Sequence, residues 1–126
     1  MLKDANTIGF IPTRDPARAR HFFSEILELE FVVDAHFALV YRVAGGTLRV
    51  VRMDEFMPAT YTIFGWEVED LSAKAEKLAK RGVEIARYSF VEQDQNGIWT
   101  APGGEKVLWF LDPDGNTLSL SEPAPR

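Results

Sequence analysis

The sequence predicts an α+β fold built from two copies of one strand–helix–strand–strand–strand unit. Three observations carry this. Short β-rich runs at Thr7–Ile11 and Tyr61–Val68 each lead to an aspartate placed to open a helix, Asp15 and Asp70, 55 residues apart. After each helix come extended segments, the last two joined by a glycine-containing turn. The length, 126 residues, suits one compact domain, and 46% hydrophobic residues supply a core. The alternative is a chance likeness of two strand–helix starts, as in a ferredoxin-like domain.

Asp15 is a good N-cap because its carboxylate can accept from free N–H groups of the first turn. Pro16 sits at the first helical position, where its missing N–H loses no bond. The first helix is expected over Pro16–Glu28, with Ala19, Phe22, Phe23, Ile26 and Leu27 on one face. The second is expected over Leu71–Arg81, with Leu71, Ala75, Leu78 and Ala79 apolar and Gly82 as a left-handed stop. Strands follow at Phe31–Val33, Phe37–Val43 and Thr47–Met53, and again at Val83–Ser89, Lys106–Leu111 and Asn116–Ser121. Ile98–Ala101 offers a further short extended piece around Trp99. Ala44-Gly45-Gly46 reads as a tight hairpin, and Asp112-Pro113-Asp114-Gly115 as a turn in which Gly115 takes a positive φ. Pro58 lies in the expected linker, Asp54–Thr60, so the modules are read as 1–57 and 58–126. Between the equivalent helix caps Ile8 matches Ile63; aligning the hairpin turns matches Val50 to Ser119.

Composition removes several classes of function. No cysteine is present, so disulfides, thiolate catalysis and cysteine-ligated zinc are out. The net charge of −5 disfavours nucleic acid and anionic membranes as partners. No apolar stretch nears the ~18 residues a bilayer span needs. The opening MLKDANTIGF lacks signal-peptide anatomy, so a cytoplasmic location is expected. No nucleophilic triad, phosphate loop or paired-carboxylate geometry is visible.

Phe110-Leu111-Asp112-Pro113-Asp114-Gly115-Asn116 resembles the most recognisable string of the vicinal oxygen chelate superfamily, the glyoxalase, bleomycin-resistance and extradiol-dioxygenase group. Phe10–Asp15 and Trp66–Leu71 resemble its two strand-to-helix junctions, and His21–Leu27 its first helix. The likeness spans about Thr7 to Pro123. It implies two βαβββ modules whose eight strands curl into a partly open barrel around one cavity, with helices outside. It also implies a homodimer and, in enzymatic members, a divalent metal that acts as a Lewis acid.

The resemblance places the metal ligands of such enzymes at Ile8, Ile63 and Ser119, with Val50 as a further position some members use. Isoleucine and valine cannot coordinate a metal, and a neutral serine hydroxyl is a poor ligand. The neighbours Thr7, Gly9, Thr62, Phe64, Leu118 and Leu120 do not rescue the site. No metal and no cofactor are therefore expected, and the three aliphatic residues read as barrel packing.

Strand alternation then outlines the cavity. With Ile8 and Ile63 inward, so are Phe10, Gly65 and Glu67; with Ser119 inward, so are Thr117 and Ser121. From Val50, alternation adds Leu48 and Arg52. The resemblance places Val107, Trp109 and Leu111 inward, with Trp109 where fosfomycin-resistance members often carry a ligand-touching aromatic. The candidate ligand-binding residues are thus Phe10, Leu48, Val50, Arg52, Glu67, Val107, Trp109, Ser119 and Ser121. Glu67 either holds a cationic or hydrogen-bonding ligand or sits in solvent or beside Arg52. Trp109 is a pocket wall or core, and Ser119 and Ser121 bond a ligand or finish an end strand. Trp66 reads as core, His36 as exposed and His21 as helix flank. The Gln93–Gly104 segment is a lid or a dimer-edge loop.

The function this predicts is metal-independent binding of an apolar or aromatic small molecule, with a cationic group welcome. The charge supports this weakly: residues 1–57 carry −1 and residues 58–126 carry −4. The alternative is a divergent lyase, isomerase or dioxygenase-type enzyme with a non-standard site; a structural or regulatory dimer with a filled cavity is the third reading.

Overall fold

A computed structural model describes residues 1–126 and divides the chain into two compact units, Met1–Met57 and Pro58–Arg126. The first contains β1 (Thr7–Thr13), α1 (Pro16–His21), β2 (Glu30–Asp34), β3 (Ala38–Val43) and β4 (Gly46–Arg52). Its sheet runs β1-β4-β3-β2, with β1 parallel to β4 and the other pairs antiparallel. The second contains β5 (Phe64–Glu67), α2 (Leu71–Lys80), β6 (Glu84–Ile85), β7 (Trp99–Thr100), β8 (Lys106–Leu111) and β9 (Thr117–Glu122). Its sheet runs β5-β9-β8-β6, with β7 also paired to β8 and β5 parallel to β9. Each unit therefore sets its first strand beside its last, and the strands form two sheets rather than one closed barrel. No helix is long and apolar enough to cross a membrane.

The caps fall where the sequence puts them. Asp15 accepts from the Arg18 N–H at 3.2 Å and Asp70 from the Ala73 N–H at 3.3 Å. The first helix departs from expectation: after His21 it widens into a π-helical turn over Phe22–Ile26, closed by the Leu27 N–H on the Phe22 carbonyl at 2.9 Å. The wider turn lets the consecutive Phe22 and Phe23 both reach the core, edge to face at 5.2 Å. They pack with Tyr41, Ile11, Leu48 and Val50 under the helix. The Tyr41 hydroxyl lies 2.8 Å from that of Ser24, and burial pushes its phenol pKa up. In the second unit Leu71, Ala75 and Leu78 of α2 cover Leu108, Phe110 and Leu118.

Gly46 is required by close approach. A Cβ built there lies 1.7 Å from the Thr7 carbonyl oxygen, so β1 cannot lie along β4 with any side chain at this position. Gly46→Ala is expected to lose about 1–2 kcal/mol by opening the first rungs of the β1–β4 ladder, measurable by urea unfolding. A wild-type midpoint would contradict this.

The expected strand Val83–Ser89 shrinks to Glu84–Ile85. The reason is a side chain. The Gln93 amide donates to the Ala86 and Gly97 carbonyls, each at 2.9 Å, and its oxygen accepts from the Tyr88 N–H at 2.8 Å. These bonds pull the chain off β8 after Ala86, and it rejoins β8 only at β7.

Candidate functional site

In the second unit, α2 covers one face of the sheet, and ladder partners fix what the other face carries. Gly65, Ser119 and Trp109 form one row across β5, β9 and β8; Glu67, Ser121, Val107 and Trp99 form the next. Glu67, Val107, Trp109, Ser119 and Ser121 are thus brought together on one face. Trp109 stands beside Trp99, rings 5.9 Å apart and 27° from parallel, and meets Tyr88 edge-on at 5.3 Å. Phe90 extends the cluster from Tyr88 at 5.2 Å. Beside this aromatic wall the floor is small. Gly65 has no side chain, and a Cβ there would lie 2.6 Å from the Ser119 hydroxyl. Glu67 is exposed at the end of β5.

The wall is held in place by its loop. Besides the Gln93 bonds, Arg87 donates from Nη1 to the Asp94 carbonyl at 2.7 Å and from Nη2 to the Gln95 carbonyl at 2.9 Å. The Asp94 carboxylate accepts from the Asn96 and Ile98 N–H groups at 2.8 and 3.0 Å. Tyr88 also lines a cleft of about 440 Å³ that opens between Pro58–Thr60, Glu84–Arg87, Leu111 and Thr117. An aromatic wall beside a floor that carries serine hydroxyls suits a flat apolar body with one or two polar groups.

Trp109 and Ser119 keep their register through the turn between their strands. Asp112 accepts from the Asp114 and Asn116 N–H groups on Oδ1 and from the Asn116 amide on Oδ2, each at 2.9 Å. Asp112 is 5% exposed, and burial pushes its carboxyl above its ordinary value despite those bonds.

The first unit corrects part of the expected site. Phe10 does lie on the face away from α1, 58% exposed, as does Ile8 at 46%. Leu48 and Val50 do not. They pair with Gly9 and Ile11, so they turn under the helix, at 0% and 1% exposure. Arg52 shares their parity; it lies exposed at the strand end, 3.7 Å from Asp54. The error comes from the hairpins. The first leaves two residues between its paired ends, Val43 and Gly46, and the second leaves five between Leu111 and Thr117. Aligning the turns therefore slips the strand by one, which exchanges its faces. Phe10 pairs with Arg49 as its counterpart Gly65 pairs with Ser119, so Arg49 is the true equivalent of Ser119.

The chemistry of these positions does not fit a metal. Ile8 and Ile63 offer no donor, Arg49 offers a cation, and Ser119 only a hydroxyl. No three His, Asp or Glu side chains gather anywhere in the chain. Tyr88, Phe90, Gln93 and Arg49 are the residues sequence reading left out. The aromatic spacing of Tyr88 and Phe90 was a usable signal for one side of an extended segment; nothing in the sequence marks Gln93 as the clamp.

The sequence profile of the Glyoxalase/Bleomycin resistance protein/Dioxygenase superfamily matches residues 5–120, and the chain belongs to that superfamily. Among solved structures, a superfamily member from Sphaerobacter thermophilus is similar at 22% identity and TM-score 0.77, covering 98% of this chain and 100% of that one. The genomically encoded fosfomycin resistance protein of Listeria monocytogenes is similar at 17% identity and TM-score 0.72, covering 94% and 92%. A lactoylglutathione lyase from Agrobacterium tumefaciens is similar at 13% identity and TM-score 0.71, covering 94% and 92%. These likenesses concern the fold. No curated protein sequence matches the chain.

Proposed function

We propose that this superfamily member is a cytoplasmic, metal-independent binding protein for a small apolar or aromatic molecule. The ligand lies on the open face of the second unit, against Trp109 and over Ser119 and Ser121. Glu67 is placed to receive a cationic or hydrogen-bond-donating group at the edge. The observation that carries this reading is the joint replacement at the metal-ligand positions: aliphatic groups, a guanidinium and a hydroxyl stand where the chelating chemistry needs imidazole or carboxylate. An aromatic wall beside a small-residue floor supplies binding without that chemistry. A thermal-shift screen of small molecules in EDTA tests it: flat apolar compounds are expected to raise the melting temperature. A screen that yields hits only after a divalent metal is added would contradict it.

The working form we propose is a homodimer. Large apolar side chains such as Phe37, Met57 and Tyr61 lie exposed on the single chain, surface of the kind a second copy covers. Light scattering at micromolar concentration is expected to give the mass of two chains; the mass of one would remove the dimer.

A further inference from the structure

The face of the first unit that lies under α1 carries a pocket of its own. Ile11, Val50, Leu39 and Asp34 form one row across β1, β4, β3 and β2. The first three are buried, and the row runs out to Asp34, which is exposed. Arg52 follows Val50 by two residues on β4, so it extends the same face to the strand end. Here a pocket of about 170 Å³ opens, lined by Leu39, Val50, Asp34 and Arg52, by Pro16 at the start of α1 and by His36 of the turn between β2 and β3.

The chemistry of this pocket is mixed. Leu39, Val50 and Pro16 are apolar. Asp34 and Arg52 line it with opposite charges, yet they do not pair with each other. Arg52 has Asp54 at 3.7 Å, an exposed contact of little strength. Asp34 accepts the His36 N–H on Oδ1 at 2.9 Å and leaves Oδ2 open. His36 holds φ at 70°, a conformation that glycine takes without strain, and its ring has no partner in the chain.

A carboxylate and a guanidinium that line one pocket and stay apart suit a ligand that carries both charges itself. The volume is below the ~300–1,000 Å³ of drug-sized sites, so that ligand is small. We propose that this pocket binds a free α-amino acid with an aliphatic side chain. The ligand carboxylate seats on Arg52, with the His36 ring N–H as a second donor. The ammonium seats on the open oxygen of Asp34, and the side chain lies on Leu39, Val50 and Pro16. All of these residues belong to the first unit, so the site does not depend on the ligand proposed for the second.

L-Leucine is the probe. The controls are 4-methylpentanoate, which lacks the ammonium, 3-methylbutylamine, which lacks the carboxylate, and glycine, which lacks the body. Leucine is expected to raise the melting temperature of the wild-type chain and to bind at least tenfold more tightly than each control. Arg52→Met is expected to lose at least tenfold for leucine and nothing for 3-methylbutylamine. Asp34→Asn, which keeps an acceptor for the His36 N–H, is expected to lose as much for leucine and nothing for 4-methylpentanoate. Both side chains are exposed, so both unliganded variants are expected to melt at the wild-type temperature. His36→Gly is expected to melt at or above that temperature, because its backbone strain is gone, and to bind leucine more weakly. No leucine shift in the wild type, equal affinity for leucine and any control, or full leucine affinity in Arg52→Met or Asp34→Asn overturns the proposal. So does a His36→Gly that melts well below wild type, since the ring would then already serve the fold. Amide chemical shifts of the wild-type chain give a test free of any variant. Leucine is expected to move Asp34, His36, Leu39 and Arg52, and movement confined to residues 58–126 contradicts the site.

Discussion

Asp112→Ala is expected to destabilise the protein by about 3 kcal/mol. The carboxylate closes the turn between β8 and β9 by taking two backbone N–H groups and one side-chain amide. Alanine leaves all three without their acceptor in a buried turn, and each orphaned donor costs about 1–3 kcal/mol. Some of that is offset, because the ionised carboxylate is itself costly to bury. Asp112→Asn keeps one oxygen for the two backbone donors, so its loss is expected to be smaller. The two substitutions also separate the charge from the bonds. Burial raises the Asp112 carboxyl above its ordinary value near 3.8, so the folded protein holds this proton more tightly than the unfolded chain. The resulting stabilisation is complete below that ordinary value and is lost as pH rises through the higher folded one. Urea unfolding from about pH 3 to pH 7 is therefore expected to show wild type losing stability relative to Asp112→Asn across that interval. A difference independent of pH would refute the assignment.

Trp109→Ala is expected to weaken binding at the second unit's open face at least tenfold, about 1.4 kcal/mol. Trp109 touches both Tyr88 and Trp99, so its loss removes the centre of the wall and leaves the other two rings without their shared neighbour. Trp109→Phe keeps an aromatic face and is expected to recover much of the affinity. That rescue separates a contact with the ligand from general damage to the fold, which thermal melting of both variants would register. Affinity unchanged in Trp109→Ala would take the aromatic wall out of the site.

Much of the fold was legible because it rests on local chemistry. Asp15-Pro16 and Asp70 open helices through their own side chains, and Gly82 and Gly115 take positive φ values of 79° and 87° where a helix and a turn need them. Glu67 and Ser121 follow from Ile63 and Ser119 by alternation within one strand, which needs no knowledge of its partner, whereas Ser119, Val107 and Trp109 were assigned only through the family resemblance; the ladder sets all five on one face. Leu48 and Val50 came out on the wrong face because carrying a position from one module to the other depends on turn length, which the strand itself does not encode. The loop after Ala86 was hidden for a similar reason. Gln93 is an ordinary polar residue until the fold brings Ala86, Tyr88 and Gly97 around its amide.

All three tryptophans, Trp66, Trp99 and Trp109, lie in the second unit, so their fluorescence reports most directly on the proposed ligand face. The deciding measurement is a fluorescence titration of the best thermal-shift hit, in EDTA and again with added Mn²⁺ or Zn²⁺. The same dissociation constant in both is predicted, because two isoleucines, a guanidinium and a single neutral hydroxyl at the chelating positions offer the ion at most one weak donor. An affinity that rises tenfold or more with metal would contradict the account.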